Sequence, residues 1–278
     1  SIDSAKADSL ISAQDSIFEN DEYYRELLES KKFNVGEWFF MSGKIICIWG
    51  SPSSGKSVLS LAIAAKFASM KKNVIVYNGD KFIPSLKFYV PSKHITSKES
   101  IGPLLMAENY DNDAVMSHIV FHPQSEYIGF MGLSPDENYI TYRNFSRESV
   151  IKLLNKMTVK ADYVIIDSTS NPFDDTMTLT ALELADIRIR IITPDNKGLI
   201  YARTSEAMYG DKKFYNDNTI KVLGNVKPVS PVNSIEYDYD YILPYSDDVE
   251  TKLIEGSLIS NLSRFNGMKF EKEIRKIV

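Results

Sequence analysis

Cysteine is nearly absent from this 278-residue sequence: Cys47 stands alone, which excludes a disulfide framework and any zinc site built on thiolates. It lies in the apolar run 45–49, which predicts a buried, unreactive thiol. Histidine is scarce as well, and His94, His118 and His122 show no metal-ligand spacing with acids, so no metal site is assigned to them. No uninterrupted apolar stretch approaches the length that spans a bilayer. The opening residues, rich in Ser and Asp, lack the basic and apolar regions of a secretory signal, and the expected compartment is the cytoplasm. An excess of positive charge is also missing: 32 Lys and Arg face 37 Asp and Glu, a net charge of −5. That balance argues against coating nucleic acid by bulk electrostatics, and nonspecific DNA binding would need a local basic patch. There is no internal repeat and no low-complexity tract.

What remains is an ordinary globular composition, with 44% hydrophobic and 25% charged residues, in a chain long enough for one large α/β domain or for two small ones. Residues 1 to 43 read as an N-terminal appendage, polar and acidic, with a helix over 21–30 and an aromatic cluster at Trp38, Phe39 and Phe40. From Lys44 to the end, β-branched runs alternate with stretches of helical period, the mark of βαβ units around a parallel sheet. Strands are predicted over 45–49, 73–77, 118–121, 163–167, 187–193, 220–226 and 235–242, with further strands over 127–133 and 139–143. Helices are predicted over 56–70, 146–157, 176–185, 198–209 and 246–255. The fold class is therefore α/β: a doubly wound, mostly parallel sheet flanked by helices, over residues 44–278.

The segment Gly50-Ser51-Pro52-Ser53-Ser54-Gly55-Lys56-Ser57 fits G-x-x-x-x-G-K-[ST]. Its glycines let backbone wrap around phosphate oxygens, Lys56 neutralises them, and Ser57 offers a hydroxyl to Mg²⁺. A β-like run ends just before Gly50 and a helix rich in Ala, Leu and Ile begins near Lys56, so phosphates, with Val58 beside them, would face a helix N-terminus. Mg²⁺ also needs a carboxylate at the end of another strand. Residues 163–167, four apolar positions and then Asp167, supply it at the place where open α/β sheets gather ligands. A strand-terminal aspartate can equally serve as a helix cap. Asp80, after the second strand, can orient or activate water near a γ-phosphate, yet Asn78-Gly79-Asp80 is also ordinary turn chemistry.

The order of phosphate loop, acid after strand two, Asp162 to Asp167, a strand running from Ala185-Asp186 to Ile192-Thr193-Pro194, and Leu243-Pro244-Tyr245 resembles the MinD/ParA class of P-loop ATPases over about residues 44 to 260. It is similar in character to the TadZ/CpaE pilus-localisation group, whose phosphate loops (Walker A motifs) are often atypical. The resemblance implies ATP and Mg²⁺ as ligands. It casts Asn78-Gly79-Asp80 as the Asp-x-Asp switch with its first acid changed, Asn225 as an adenine contact and Pro244 as part of the segment beside the base. It further implies an ATP-controlled homodimer, partners in a pilus, secretion, conjugation or partition apparatus, and a location at a membrane or cell pole. One departure stands out: typical members carry, directly after the first glycine, a lysine that reaches the partner's nucleotide, and here that position is Ser51. Hydrolysis is accordingly expected to be slow or absent.

Two other readings stay open. A bacterial tyrosine kinase of the same class has a Ser-Pro phosphate loop and a tyrosine-rich tail, which Tyr237, Tyr239, Tyr241 and Tyr245 invite for comparison; their alternation also suits one face of a strand. A degenerate scaffold that binds no nucleotide is the other. The chain's last twelve residues have apolar positions at helical spacing with basic residues between them, expected as a helix packed on the sheet, with peripheral membrane contact as the alternative. Arg188 and Arg190 alternate within a strand of Ile and are expected on a solvated or partner-facing edge.

Overall fold

The structure is a computed structural model that describes residues 43–278 except 92, 94, 144, 173–174, 209–218 and 233–235. The expected N-terminal appendage with its helix and aromatic cluster, and His94, lie outside the described residues.

Within them the chain runs β1 (Lys44–Gly50), α1 (Lys56–Ser69), β2 (Val74–Asn78), α2 (Leu86–Tyr89), α3 (Gly102–Met106), α4 (Asn112–Ser117), β3 (Val120–His122) and β4 (Ser125–Met131). It continues with α5 (Arg147–Lys160), β5 (Tyr163–Asp167), α6 (Thr176–Leu184), β6 (Ile187–Ile192), α7 (Asn196–Met208), β7 (Thr219–Val226), β8 (Tyr241–Pro244), α8 (Asp247–Ile254) and α9 (Phe265–Ile277). The strands form one eight-stranded sheet in the order β3-β4-β2-β5-β1-β6-β7-β8. All neighbours are parallel except β3 and β4. The chain builds outward from β1 through β2 to β4, returns as β5 between β1 and β2, and then builds the other way through β6. This reversal of direction opens a crevice above the carboxyl ends of the central strands.

Strand alternation sorts the core into two layers. Ile46 and Ile48 of β1 point to the side covered by α1 and α9, where Leu59, Ile63, Phe67 and Phe270 are buried. Ile45, Cys47 and Trp49 point to the opposite side, under α5 and α6, where Leu153, Leu154, Met157 and Ala181 are buried. Cys47 is fully buried, and burial drives its thiol pKa far up, as expected of an inert thiol. Helix starts follow local chemistry: the Ser149 N–H donates to Ser146 Oγ (3.0 Å) at α5, and the Thr178 N–H to Asp175 Oδ2 (3.0 Å) at α6.

Four expectations are corrected. Residues 236–240 are not strand; β8 begins at Tyr241, paired with Val222. Tyr237 and Tyr239 instead pack from a loop against Ile192 and Leu223; the Asp240 side chain takes the Lys221 N–H of β7 (2.8 Å) in place of a backbone carbonyl, which ends the strand pairing there. Residues 139–142 form a turn, because Asn138 Oδ1 accepts the Ile140 N–H (2.8 Å) and its carbonyl accepts the Tyr142 N–H (3.1 Å). Strand β3 starts at Val120, as His118 ends α4.

The fourth correction concerns Arg188 and Arg190, which are buried because β6 is an interior strand. Arg188 donates from Nε to the Leu182 carbonyl (2.6 Å) and from Nη2 to that of Glu183 (3.0 Å), satisfying the end of α6. Arg190, 0% exposed, lies over the Trp49 and Tyr237 rings and reaches Glu206 Oε1 at 2.6 Å. Helix α9 packs on the sheet, with Phe270, Ile274 and Ile277 in the core.

Candidate functional site

The turn between β1 and α1 is set by how closely it approaches its neighbours. Gly50 has φ +151°, and a Cβ on it would lie 1.7 Å from the Ile191 carbonyl oxygen, so only glycine fits at the end of β1. A Cβ on Gly224 of β7 would meet the Ser54 carbonyl oxygen at 2.1 Å, which shows the loop pressed onto that strand. Ser51 is 2% exposed. Its N–H donates to the Ile191 carbonyl (3.1 Å) and its Oγ accepts the Thr193 N–H (3.0 Å). The side chain at this position is thus a rivet between the loop and the end of β6.

Lys56, at the first turn of α1, folds back over the loop: Nζ donates to the carbonyls of Ser51 (3.1 Å) and Gly50 (3.4 Å) and to Ser170 Oγ (2.6 Å). Burial lowers its pKa, while the charges of Asp167 and Asp80 oppose that shift. Asp167 closes β5 beside Ile48 of β1 and Asn78 of β2. It is 3% exposed. Burial raises its pKa, and the Ser57 and Tyr89 hydroxyls and Lys56 pull it back down. Oδ2 accepts a hydrogen bond from the Tyr89 hydroxyl. Oδ1 is buried with no partner among the described residues. A buried carboxylate oxygen left unsatisfied is costly unless a cation or its water fills the place. Ser57 and Asp167, a hydroxyl and a carboxylate with a free lone pair, form a donor set that fits Mg²⁺.

These groups converge on a cavity of about 400 Å³, within the range of small-molecule sites. Ser53, Ser54, Gly55, Lys56, Ser57 and Val58 line it on one side, and Asp80 and Asp167 lie at its polar end. Asn225, Pro244 and Tyr245 line the far end together with Val249, Leu253 and Phe270. Gly50, Ser51 and Pro52 do not line it: the first two lie beneath the loop and Pro52 is exposed. Asp80 also makes the turn expected of it, with Oδ1 accepting the N–H groups of Phe82 (2.9 Å) and Ile83 (3.0 Å).

Three contributions went unread in the sequence. Tyr89 reaches Asp167 from α2, Ser170 holds Lys56, and Phe270 of α9 walls the apolar end of the cavity. The hydroxyl run Ser168-Thr169-Ser170 directly after Asp167 was the available signal for the second, and the apolar stripe of α9 for the third.

A phosphate loop at the end of a central parallel strand, opposite a buried strand-end aspartate, defines the fold of the P-loop nucleotide-binding proteins. Solved structures narrow it to the MinD/ParA fold. The ParA family ATPase of Chlorobium tepidum superposes with a TM-score of 0.67 at 14% identity, covering 84% of this chain and 98% of that one. The septum site-determining protein MinD of Pyrococcus horikoshii, complexed with Mg-ADP, gives 0.65 at 13% identity over 84% of this chain and 96% of that one. A Cyanothece McdA variant in complex with ATP gives 0.64 at 13% identity over 85% and 95%. No family model matches the sequence, and neither does any curated protein.

Proposed function

We propose that the chain binds ATP with Mg²⁺ in this cavity and acts as a nucleotide-dependent positioning protein. In this reading the ATP-bound state controls homodimerisation and the recruitment of a pilus, secretion, conjugation or partition apparatus, as the TadZ/CpaE-like sequence features suggest. The observation that carries it is the convergence of Lys56, Ser57 and the partnerless oxygen of buried Asp167 at the mouth of one phosphate loop. Structures of the same fold bound to Mg-ADP and to ATP support the choice of ligand. The loop N–H groups and Lys56 would take the phosphates, Ser57 and Asp167 the metal, and the space between Asn225, Pro244 and Tyr245 the base. Mg²⁺, when bound, supplies charge neutralisation at the phosphates.

Slow turnover fits the same site. Ser51 is buried and bonded to Thr193, so no cation projects from that position, and a long-lived bound state suits a switch. Asp80, at the polar end, is the group to orient water. Calorimetry with ATP and Mg²⁺ tests the reading: the wild type binds, while Lys56→Ala keeps its far-ultraviolet spectrum and loses at least about 100-fold in affinity. Equal affinity in the variant would remove the site. Labelled ATP separates the competing readings: free phosphate fits the switch, phosphotyrosine a kinase, and no binding a scaffold.

A further inference from the structure

Asn78 and Asp167 lie side by side in register at the ends of β2 and β5, and between them stands the buried hydroxyl of Tyr89. The amide orientation of Asn78 is settled by its neighbours. Oδ1 accepts the Ser85 N–H (3.1 Å), and Nδ2 donates to Ser85 Oγ (2.9 Å) and to the Tyr89 hydroxyl oxygen (3.3 Å). With its oxygen accepting from an amide, the Tyr89 hydroxyl has one proton to give, and it gives it to Asp167 Oδ2. The hydrogen bonds therefore run in one direction, from Asn78 through Tyr89 to Asp167. A carboxylate at position 78 would have no N–H to donate and would compete with Asp167 for that proton. The same amide anchors Ser85, which precedes α2, and the Tyr89 ring is stacked on Phe130 with centroids 5.2 Å apart. The hydroxyl is thus delivered by a fixed ring, and of the two Asp167 oxygens only Oδ1 is left for another partner.

We propose that Tyr89 is a positioning residue for the metal carboxylate: oriented by Asn78, its hydroxyl occupies Asp167 Oδ2 and holds Oδ1 toward the cation that accompanies the nucleotide. The proposal rests on the nucleotide reading above and names a device within it. Partners of this kind, behind a metal-binding group, commonly set metal affinity while touching neither metal nor phosphate. The role shows as a coupling between Mg²⁺ and nucleotide, since a merely structural Tyr89 would affect binding equally with and without the metal.

The experiment is calorimetric titration of the full chain with ADP in EDTA and in Mg²⁺, for wild type, Tyr89→Phe and Asn78→Asp. Tyr89→Phe keeps the ring against Phe130 and removes only the donor. It should bind ADP in EDTA as the wild type does and lose about tenfold or more of the tightening that Mg²⁺ confers. Asn78→Asp should lose it in the same direction, and serves alone if Tyr89→Phe fails to fold. An undiminished or enlarged Mg²⁺ effect in both variants overturns the proposal while leaving the nucleotide site standing. A wild type that binds no ADP overturns both, and is told apart by its first titration.

Discussion

The two polar walls of the cavity are built by different means. On one side the phosphate loop is held chiefly by close main-chain approach, with Gly50 against the Ile191 carbonyl, Ser54 against Gly224 and the Ser51 N–H on Ile191, to which the Ser51 and Lys56 side chains add their bonds. Across from it, the segment from Asn78 to Tyr89 has two main-chain anchors, the Gly79 N–H on the Asp167 carbonyl (2.8 Å) and the Tyr139 N–H on the Lys81 carbonyl (2.9 Å), and side chains hold the rest. Asn78 grips Ser85 and Tyr89, Asp80 caps its own turn, and Lys81 makes a 3.2 Å ion pair with Asp175, both side chains at most 5% exposed. That wall also leaves Phe82 62% and Ile83 71% exposed. A wall fixed by main-chain approach has little room to move, whereas one fixed by exchangeable side-chain partners can be reset by what binds beside it.

The sharpest way to break the contrast is at Gly50. Gly50→Ala puts a methyl inside the Ile191 carbonyl, and the expected loss of stability is on the order of 4 kcal/mol or more, read by urea unfolding. A loss under about 1 kcal/mol would mean that the loop wall yields as readily as its neighbour. Lys81→Ala acts on the other wall. It leaves Asp175 buried without its cation, although Thr178 still donates to that carboxylate, and should cost about 3 kcal/mol in the same assay. The ADP affinity of the folded fraction should stay within about threefold of wild type. If affinity falls with stability, the side-chain wall is as rigidly tied to the phosphates as the loop.

The backbone wall was far easier to read from sequence than the side-chain wall. Gly50 to Ser57 and Asp167 announce themselves because their chemistry is packed into short patterns beside apolar strands, and the α/β sheet followed from the alternation of periods. Tyr89 does not, since its bond to Asp167 spans 78 residues and leaves no spacing to recognise. Asn78 looked like a switch acid changed to an amide, and in the structure it donates to the Tyr89 hydroxyl (3.3 Å). Arg188 looked like a surface charge because its partners are helix-end carbonyls, which carry no side-chain signature. The alternating tyrosines at 237 and 239 had the period of a strand, but the Asp240 side chain ends the pairing with β7 at Lys221.

The smallest effect is expected far from the cavity. His122, buried at the end of β3, has its pKa lowered below 6.5 by burial, with a ring N–H hydrogen bond to the Gly256 backbone carbonyl acting the other way. A base whose folded pKa is depressed contributes stability that is complete above its unfolded value of 6.5 and is lost as pH falls through the folded value. The melting temperature should therefore drop between pH 7.5 and 5 by more in wild type than in His122→Leu, measured on the metal-free chain. Equal slopes would place the acid sensitivity elsewhere.

While Phe265 and Met268 near its start stay exposed, the apolar stripe of helix α9 formed by Phe270, Ile274 and Ile277 is committed to the protein interior. Lipid could claim those side chains only by peeling the helix away, and Phe270 would then leave the apolar end of the cavity open to water. Attachment to a bilayer through this buried stripe and a closed cavity are therefore rival states of one element.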